Sequence, residues 1–322
     1  MKVYNGICDG SAGHSVDHTR FLVANDETEI LHLYRNDNVA EDAIETFDFT
    51  EQLRDDPENE CDLEGAAAIG NLVFWIGSHG RNRKGKLRLN RHRLFAVKIK
   101  QKNDTLKLKW VGRYDGLASD LCEIANWATA RDAYTREIVA ILAQATQLSE
   151  KKVKDLAPKL LGLNIEGLAA RPDGSELLIG LRNPIPKGMA LIIPVTNARD
   201  LVVASGNRAS FGRPITLDLG THGVRSISYV PGIGEFVIIS GKADSGGPFR
   251  IYRWSGLPDH RARYVQEIYR GSQFSPEAIV TYDDSKRIQI LGDGGTIISA
   301  GKPCKDLPVH EKHFSDRWHY LT

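Results

Sequence analysis

The chain has 322 residues, 41% hydrophobic and 26% charged, the balance of a globular protein with a sizeable core and not of a disordered one. Its 42 Lys and Arg nearly cancel 41 Asp and Glu, so whole-molecule charge selects no partner and any attraction for anions must come from a local patch. No stretch approaches the ~20 apolar residues of a membrane span, and Met1 to Gly6 lacks the apolar core of a signal peptide, so a cytoplasmic protein without a membrane partner is expected.

In chain order, the apolar run Val3-Tyr4 precedes Asp9-Gly10-Ser11-Ala12, and two further runs follow at Phe21 to Ala24 and Leu31 to Tyr34. Asp62-Leu63-Glu64-Gly65 then opens the same order again, with runs at Leu72 to Ile76 and Leu94 to Val97 and an alternating segment from Leu106 to Val111 that reads as a half-exposed outer strand. Asn164-Ile165-Glu166-Gly167, Gly223-Val224-Arg225-Ser226 and Ser275-Pro276-Glu277-Ala278 open three more copies. Sixteen residues after each key position the chain reaches Asn25, Gly80, Arg182, Gly241 and Asp293, each time at the end of a second apolar run. Four strands per copy make a propeller blade. The expected fold is therefore an all-β, five-bladed β-propeller forming a single domain over 1–322, closed by the N-terminal segment as the outer strand of the last blade.

One interval, from Glu64 to Glu166, is about a blade too long. The excess, residues 116–162 between blades 2 and 3, reads as a helical insert, because Tyr134, Ile138, Ile141 and Ala145 share one helical face. Ser149 is placed to cap a second helix carrying Val153 and Leu156, ending near Pro158. Six blades is the alternative if the insert hides a strand set. Cys8, Cys61, Cys122 and Cys304 are far apart and read as four reduced thiols.

In a propeller the start of the first strand and the end of the second lie on one face. Asp9, Glu64, Glu166, Arg225 and Glu277 should then ring the channel mouth, with Asp26, His79, Arg81, Arg182, Asn183, Lys242 and Asp293 around it. Several carboxylates on one narrow axis need a counter-charge. Arg225 supplies one, and a divalent cation on Asp9, Glu64, Glu166 and Glu277 is the expected other, Ca²⁺ where 6 to 8 flexible oxygens are available and Mg²⁺ where waters remain. The plainer reading is that the glutamates fasten blade to blade through backbone N–H groups. The loop from Ser78 to Arg93 is rich in Lys and Arg and has no acid; without aromatic interleaving it offers nucleic acid little beyond charge.

These segments, together with Asn25-Asp26-Glu27 and Gly180-Leu181-Arg182-Asn183-Pro184, resemble the bacterial domain of unknown function 3616 over nearly the whole chain. A more distant likeness is to phytase-like esterase propellers and to five-bladed calcium-activated nucleotidases. The latter resemblance implies a calcium site on Glu64, Glu166 and Glu277, although Arg225 in the ring, the missing secretion signal and the helical insert depart from that group. The expected function is metal-dependent hydrolysis of an anionic ester, a phosphoester among the candidates. Arg81, Arg182, Asn183 and Lys242 would hold this small anionic ligand, and His79, His222 and Arg225 would serve catalysis. The alternative is a non-catalytic propeller that binds a protein or polyanion through its charged face. Oligomeric state is not legible.

Overall fold

A computed structural model describes every residue except 38–40, 57, 104, 245, 270–273, 284, 300 and 322. Among the described residues the strands form five four-stranded antiparallel sheets and one two-stranded sheet. β1 (Val3–Asn5) leads into the first sheet, β2 (Ala12–Ser15), β3 (Arg20–Ala24), β4 (Ile30–Arg35) and β5 (Glu45–Asp48). After the one-turn helix α1 (Thr50–Leu53) come β6 (Leu63–Ile69), β7 (Leu72–Gly77), β8 (Leu94–Lys102) and β9 (Thr105–Tyr114). The third sheet is β10 (Asn164–Ala170), β11 (Leu177–Asn183), β12 (Ala190–Val195) and β13 (Ile215–Leu217); the fourth is β14 (Gly223–Val230), β15 (Glu235–Gly241), β16 (Phe249–Trp254) and β17 (Arg263–Ile268). The last is β18 (Ser275–Thr281), β19 (Arg287–Asp293) and β22 (His313–Tyr320), with β1 completing it at the outer edge. The small sheet β20 (Ile298–Ser299) and β21 (Lys302–Pro303) sits in the connection between β19 and β22.

The first strands pack on one another in a closed circuit, β2 on β6, β6 on β10, β10 on β14, β14 on β18 and β18 back on β2. That is the propeller arrangement, with the cores lying between successive sheets. Each second strand is apolar on both faces because both are covered: every residue of β7 and of β11 is buried. The N-terminal segment closes the ring as expected, Tyr4 pairing with Phe314 and its hydroxyl donating to Asp316 in a buried network with Gln289.

The segment 116–162 is partly helical. α2 (Leu117–Leu121) and α3 (Ala133–Thr146) pack Leu117, Leu121, Ile138 and Leu142 into the core shared by the second and third sheets, a flank position. It contributes no strand. The second long helix is absent, and only a 3₁₀ turn forms at Lys154–Leu156. The backbone there is spent elsewhere: Leu87 N–H donates to the Lys151 carbonyl and Val153 N–H to that of Gly85, both at 2.9 Å, stitching the insert to the β7–β8 loop. Gly85 has φ +72°, and a Cβ on it would stand 2.1 Å from the Val153 oxygen.

The expectation of four thiols is corrected. Cys8 and Cys304 form a disulfide, while buried Cys61 and half-buried Cys122 are free. Sequence separation of 296 residues hides this pair; ring closure carries the end of the chain back beside its start. Because the bond ties the two closing segments, reduction or Cys304→Ser should lower stability by roughly 2–4 kcal/mol. Thermal melts with and without reductant test this, and coincident curves would show that the bond does not contribute.

Candidate functional site

The key residues reach the axis through a backbone irregularity. In the pairing of first and second strands, the register shifts at Glu64, Glu166, Arg225 and Glu277, each of which is skipped between paired neighbours. A bulge of this kind re-aims one side chain out of strict alternation. The small residue that follows permits the neighbouring sheet to close in: a Cβ on Gly65 would lie 2.8 Å from Leu168 Cβ, and one on Gly167 2.8 Å from Val224 Cγ1.

Arg225 is the hub of the mouth. It is 5% exposed and bridges two sheets, with Nη1 donating to Glu166 Oε1 at 3.1 Å and lying 2.8 Å from Oε2, and Nη2 donating to both carboxylate oxygens of Glu277. Glu166 also accepts from Arg182 Nη1 at 2.6 Å and from Asn164 Nδ2 at 2.9 Å. Burial alone would lower the Arg225 charge's stability, but Glu166 and Glu277 more than offset it and hold the guanidinium protonated. Among the described residues Glu166 and Glu277 are fastened by arginine across sheets, not by backbone N–H groups.

A second, acidic group faces this network. Asp9 is buried, accepts from Ser11 Oγ at 2.6 Å and bridges to Asp293 on the neighbouring sheet. Burial and then Asp26 and Asp293 push the Asp9 carboxyl well above its ordinary range, and burial pushes Asp26 up to about 6. Glu64 is raised strongly as well, first by burial and then by Glu166, Asp62 and Glu277. Among the described residues Glu64 has no hydrogen bond or ion pair, whereas Asp62 beside it is held by Arg91 at 2.8 Å.

Glu166, Glu277, Arg182 and Arg225 are thus brought together, as are Asp9, Asp26 and Asp293, with Glu64 between the groups. The other expected residues are placed elsewhere. Arg81 donates to the Gly85, Thr146 and Gln147 carbonyls, capping the C-terminus of α3. Asn183 donates to the Leu160 and Gly162 carbonyls at 2.7 and 2.9 Å, holding the return of the insert. His79 lies under the insert in a shallow recess with Arg81, Leu87, His92 and Leu163. Its Nδ1 lies 2.8 Å from the Gly77 carbonyl, and burial pushes the ring down to about 4, so it is neutral near pH 7. His222 is buried with Nδ1 3.3 Å from Ser240 Oγ, and burial, Arg250 and Lys242 lower it. Lys242 is exposed on the rim.

The set of Asp9, Glu64, Glu166 and Glu277 as metal ligands does not fit as a unit, because arginine occupies Glu166 and Glu277. Among the described residues no three His, Cys, Asp or Glu side chains converge closely enough to hold a metal ion. A groove of about 520 Å³ lined by Lys2, His18, Tyr282, Asp283, Arg287 and Trp318 opens at the opposite end of the strands. Sequence reading missed Lys159, whose ammonium is pushed down by burial and by Arg182, Arg225 and Arg83. No local pattern marks it, since the fold of the insert alone delivers it to the mouth.

A family described as "Protein of unknown function (DUF3616)" matches residues 9–280. No curated protein matches the chain. Among solved structures, the β-propeller domain of Myceliophteria thermophila Cps50 (Swd1) is 11% identical with a TM-score of 0.39, covering 97% of this chain and 82% of that one. A luciferin-regenerating enzyme is 9% identical with a TM-score of 0.39, covering 100% and 95%.

Two outcomes follow from the charges. Arg225→Met strands Glu277, leaves Glu166 to Arg182 and Asn164, and should cost about 3–5 kcal/mol in urea unfolding; a change below about 1 kcal/mol would remove Arg225 as the hub. Carboxyls whose folded pKa is raised stabilise most when protonated, so their contribution is full below the ordinary carboxyl range and is lost as pH rises through the folded value, about 6 for Asp26. In buffer with EDTA, Glu64→Gln should therefore raise the melting temperature near about pH 8 and leave it unchanged near about pH 4. A variant destabilised at both would show that Glu64 is paired.

Proposed function

The chain belongs to that family of unknown function, and we propose that it is a five-bladed propeller whose channel mouth binds a small ligand carrying positive charge. The five four-stranded sheets are its blades, and β20–β21 is an ornament within the fifth. The observation that carries the binding reading is Glu64. It is the ring carboxylate with no partner among the described residues, set against Asp26, Asp62 and Glu166 in a mouth already richer in acid than in base. A cation there relieves what desolvation and like charge impose.

A divalent ion is the smallest such ligand, and hard oxygens from Glu64, Asp9 and Asp26 suit Ca²⁺, or Mg²⁺ with waters retained. Binding would draw Glu64 towards the Asp9–Asp26 pair, while Glu166 and Glu277 stay with Arg225. Hydrolysis of an anionic ester is a second reading, favoured by Asp26, which can take up a proton near neutrality, and by Arg182, Lys159 and Lys242 on the basic side. In that reading a carboxylate is the base, since His79 and His222 are engaged away from the axis. The binding of a polyanion by the whole face is less well supported, because Arg81, Arg91 and Arg93 of the basic loop are tied into the fold. The Cys8–Cys304 bond supports a compartment oxidising enough to keep it, in place of the cytoplasm; no helix among the described residues is long and apolar enough to cross a membrane.

Melting with EDTA, Ca²⁺ or Mg²⁺ tests the site. A ligand at a hundredfold excess over its Kd should stabilise by about 2.7 kcal/mol, and Glu64→Gln or Asp26→Asn should abolish the shift. An ion-dependent shift that survives both substitutions would take the mouth out of consideration. Turnover in a screen of phosphoesters and carboxyl esters would establish the hydrolase reading.

A further inference from the structure

The stitching between the β7–β8 loop and the insert assembles a basic surface from two segments about 65 residues apart in sequence. Arg83, Lys84 and Lys86 come from the loop, and Lys151, Lys152 and Lys154 from the insert. All six are exposed, and among the described residues none makes an ion pair. The backbones are joined at Leu87–Lys151 and Val153–Gly85, with Lys86 bridged to Lys152. Asn82 Oδ1 further fixes the turn by accepting from the N–H groups of Lys84 and Lys86, each at 3.0 Å. A free basic loop would be merely solvated; here six exposed basic side chains are gathered on one stitched edge, with Asp155 the one acid within residues 82–88 and 151–161, so the edge attracts an anionic surface.

The same edge exposes aliphatic side chains. Leu160 and Leu161 are 52% and 66% exposed, directly after Lys159, which lies within electrostatic reach of Arg83. Their segment packs on the base of the loop, with a Cβ on Gly80 falling 3.2 Å from the Leu163 oxygen and 3.3 Å from Pro158. Residues 82–88 and 151–161 contain no aromatic side chain, so there is no platform on which bases could stack. Lysines flanking exposed leucines suit a surface with anionic headgroups above hydrocarbon.

We propose that this stitched patch docks the protein on anionic phospholipid bilayers, with the six basic side chains at the headgroups and Leu160 and Leu161 entering the interface. The inference is independent of the ligand at the channel mouth.

Co-sedimentation with phosphatidylcholine vesicles, with and without phosphatidylglycerol, tests it. Binding should require the anionic lipid and weaken as salt is raised. Lys84→Gln, Lys86→Gln and Lys152→Gln should each reduce the partition coefficient by about fivefold. Leu160→Ser with Leu161→Ser should reduce it further with all charges intact, and unchanged melting temperatures would confirm that these surface variants fold. Failure to bind anionic vesicles, or equal binding to neutral ones, overturns the proposal. So does retention of duplex DNA that the lysine variants weaken and the leucine variant does not, which would make the patch a nucleic-acid surface.

Discussion

The channel mouth depends on one guanidinium. Arg225 stands where the other four four-stranded sheets place an acid, and it reaches Glu166 on one side and Glu277 on the other. Its side chain is further confined by the Phe249 ring, 5.6 Å away. A buried ion pair of this kind adds little net stability over a well-packed apolar substitute, because desolvation consumes most of the Coulomb gain. What it does provide is register. Three sheets must be correctly placed for the three side chains to meet, and any misplacement leaves a buried charge without a partner.

The repeated motif is best understood as a device for delivering side chains to that hub. A strand that alternates strictly would place the key residue by parity alone, but each of the four clear copies breaks parity with a bulge at that position. The small residue that follows is the second half of the device. Gly65 and Gly167 admit the next sheet's side chains, and Ser226 goes further by accepting from the Ile279 N–H at 3.1 Å. Motif, bulge and close approach are therefore one feature seen at three scales. The acid-plus-small-residue spelling recurs because both parts are needed at one place.

This explains which parts of the molecule were legible in its sequence. Apolar runs at a fixed spacing report strands covered on both faces, so Leu72 to Ile76 and Leu177 to Ile179 were readable, as was closure by Val3 and Tyr4. Residues 116–162 emerged by subtraction and by the face through Ile138 and Ala145. The roles of Arg81, Asn183 and His79 were not legible, because type and position suggest a functional group while the hydrogen-bond partners are backbone atoms, of a distant insert for Arg81 and Asn183 and of the nearby Gly77 for His79. Ser149 suggested a helix cap by local chemistry, but no α-helix follows it, because the Lys151 carbonyl and the Val153 N–H are paired with the loop instead. Pairing of Cys8 with Cys304 required knowing that the ring closes beside Asp9.

The insert connects these observations. Arg81 binds the last carbonyls of α3, where a positive charge also meets the favourable end of the helix dipole. Asn183 binds the chain as it leaves the insert, and Ile165 N–H donates to the Ser78 carbonyl at 2.8 Å as β10 begins. Held at the end of α3 and again at its exit, the insert has little freedom to act as a lid and instead carries Lys159 to the mouth. That ammonium, though exposed, is partly desolvated and within electrostatic reach of Arg182 and Arg225, which together lower its affinity for a proton. The mouth is polarised as a result, with Lys159, Arg182 and Arg225 gathered around Glu166 on one side and Asp9, Asp26 and Glu64 crowded on the other. Arg182, Arg225, Glu166 and Asp9 are buried, whereas Asp26 and Glu64 are half-buried and Lys159 is exposed, so solvent screens the outer part of both sides and the polarity is strongest at the axis.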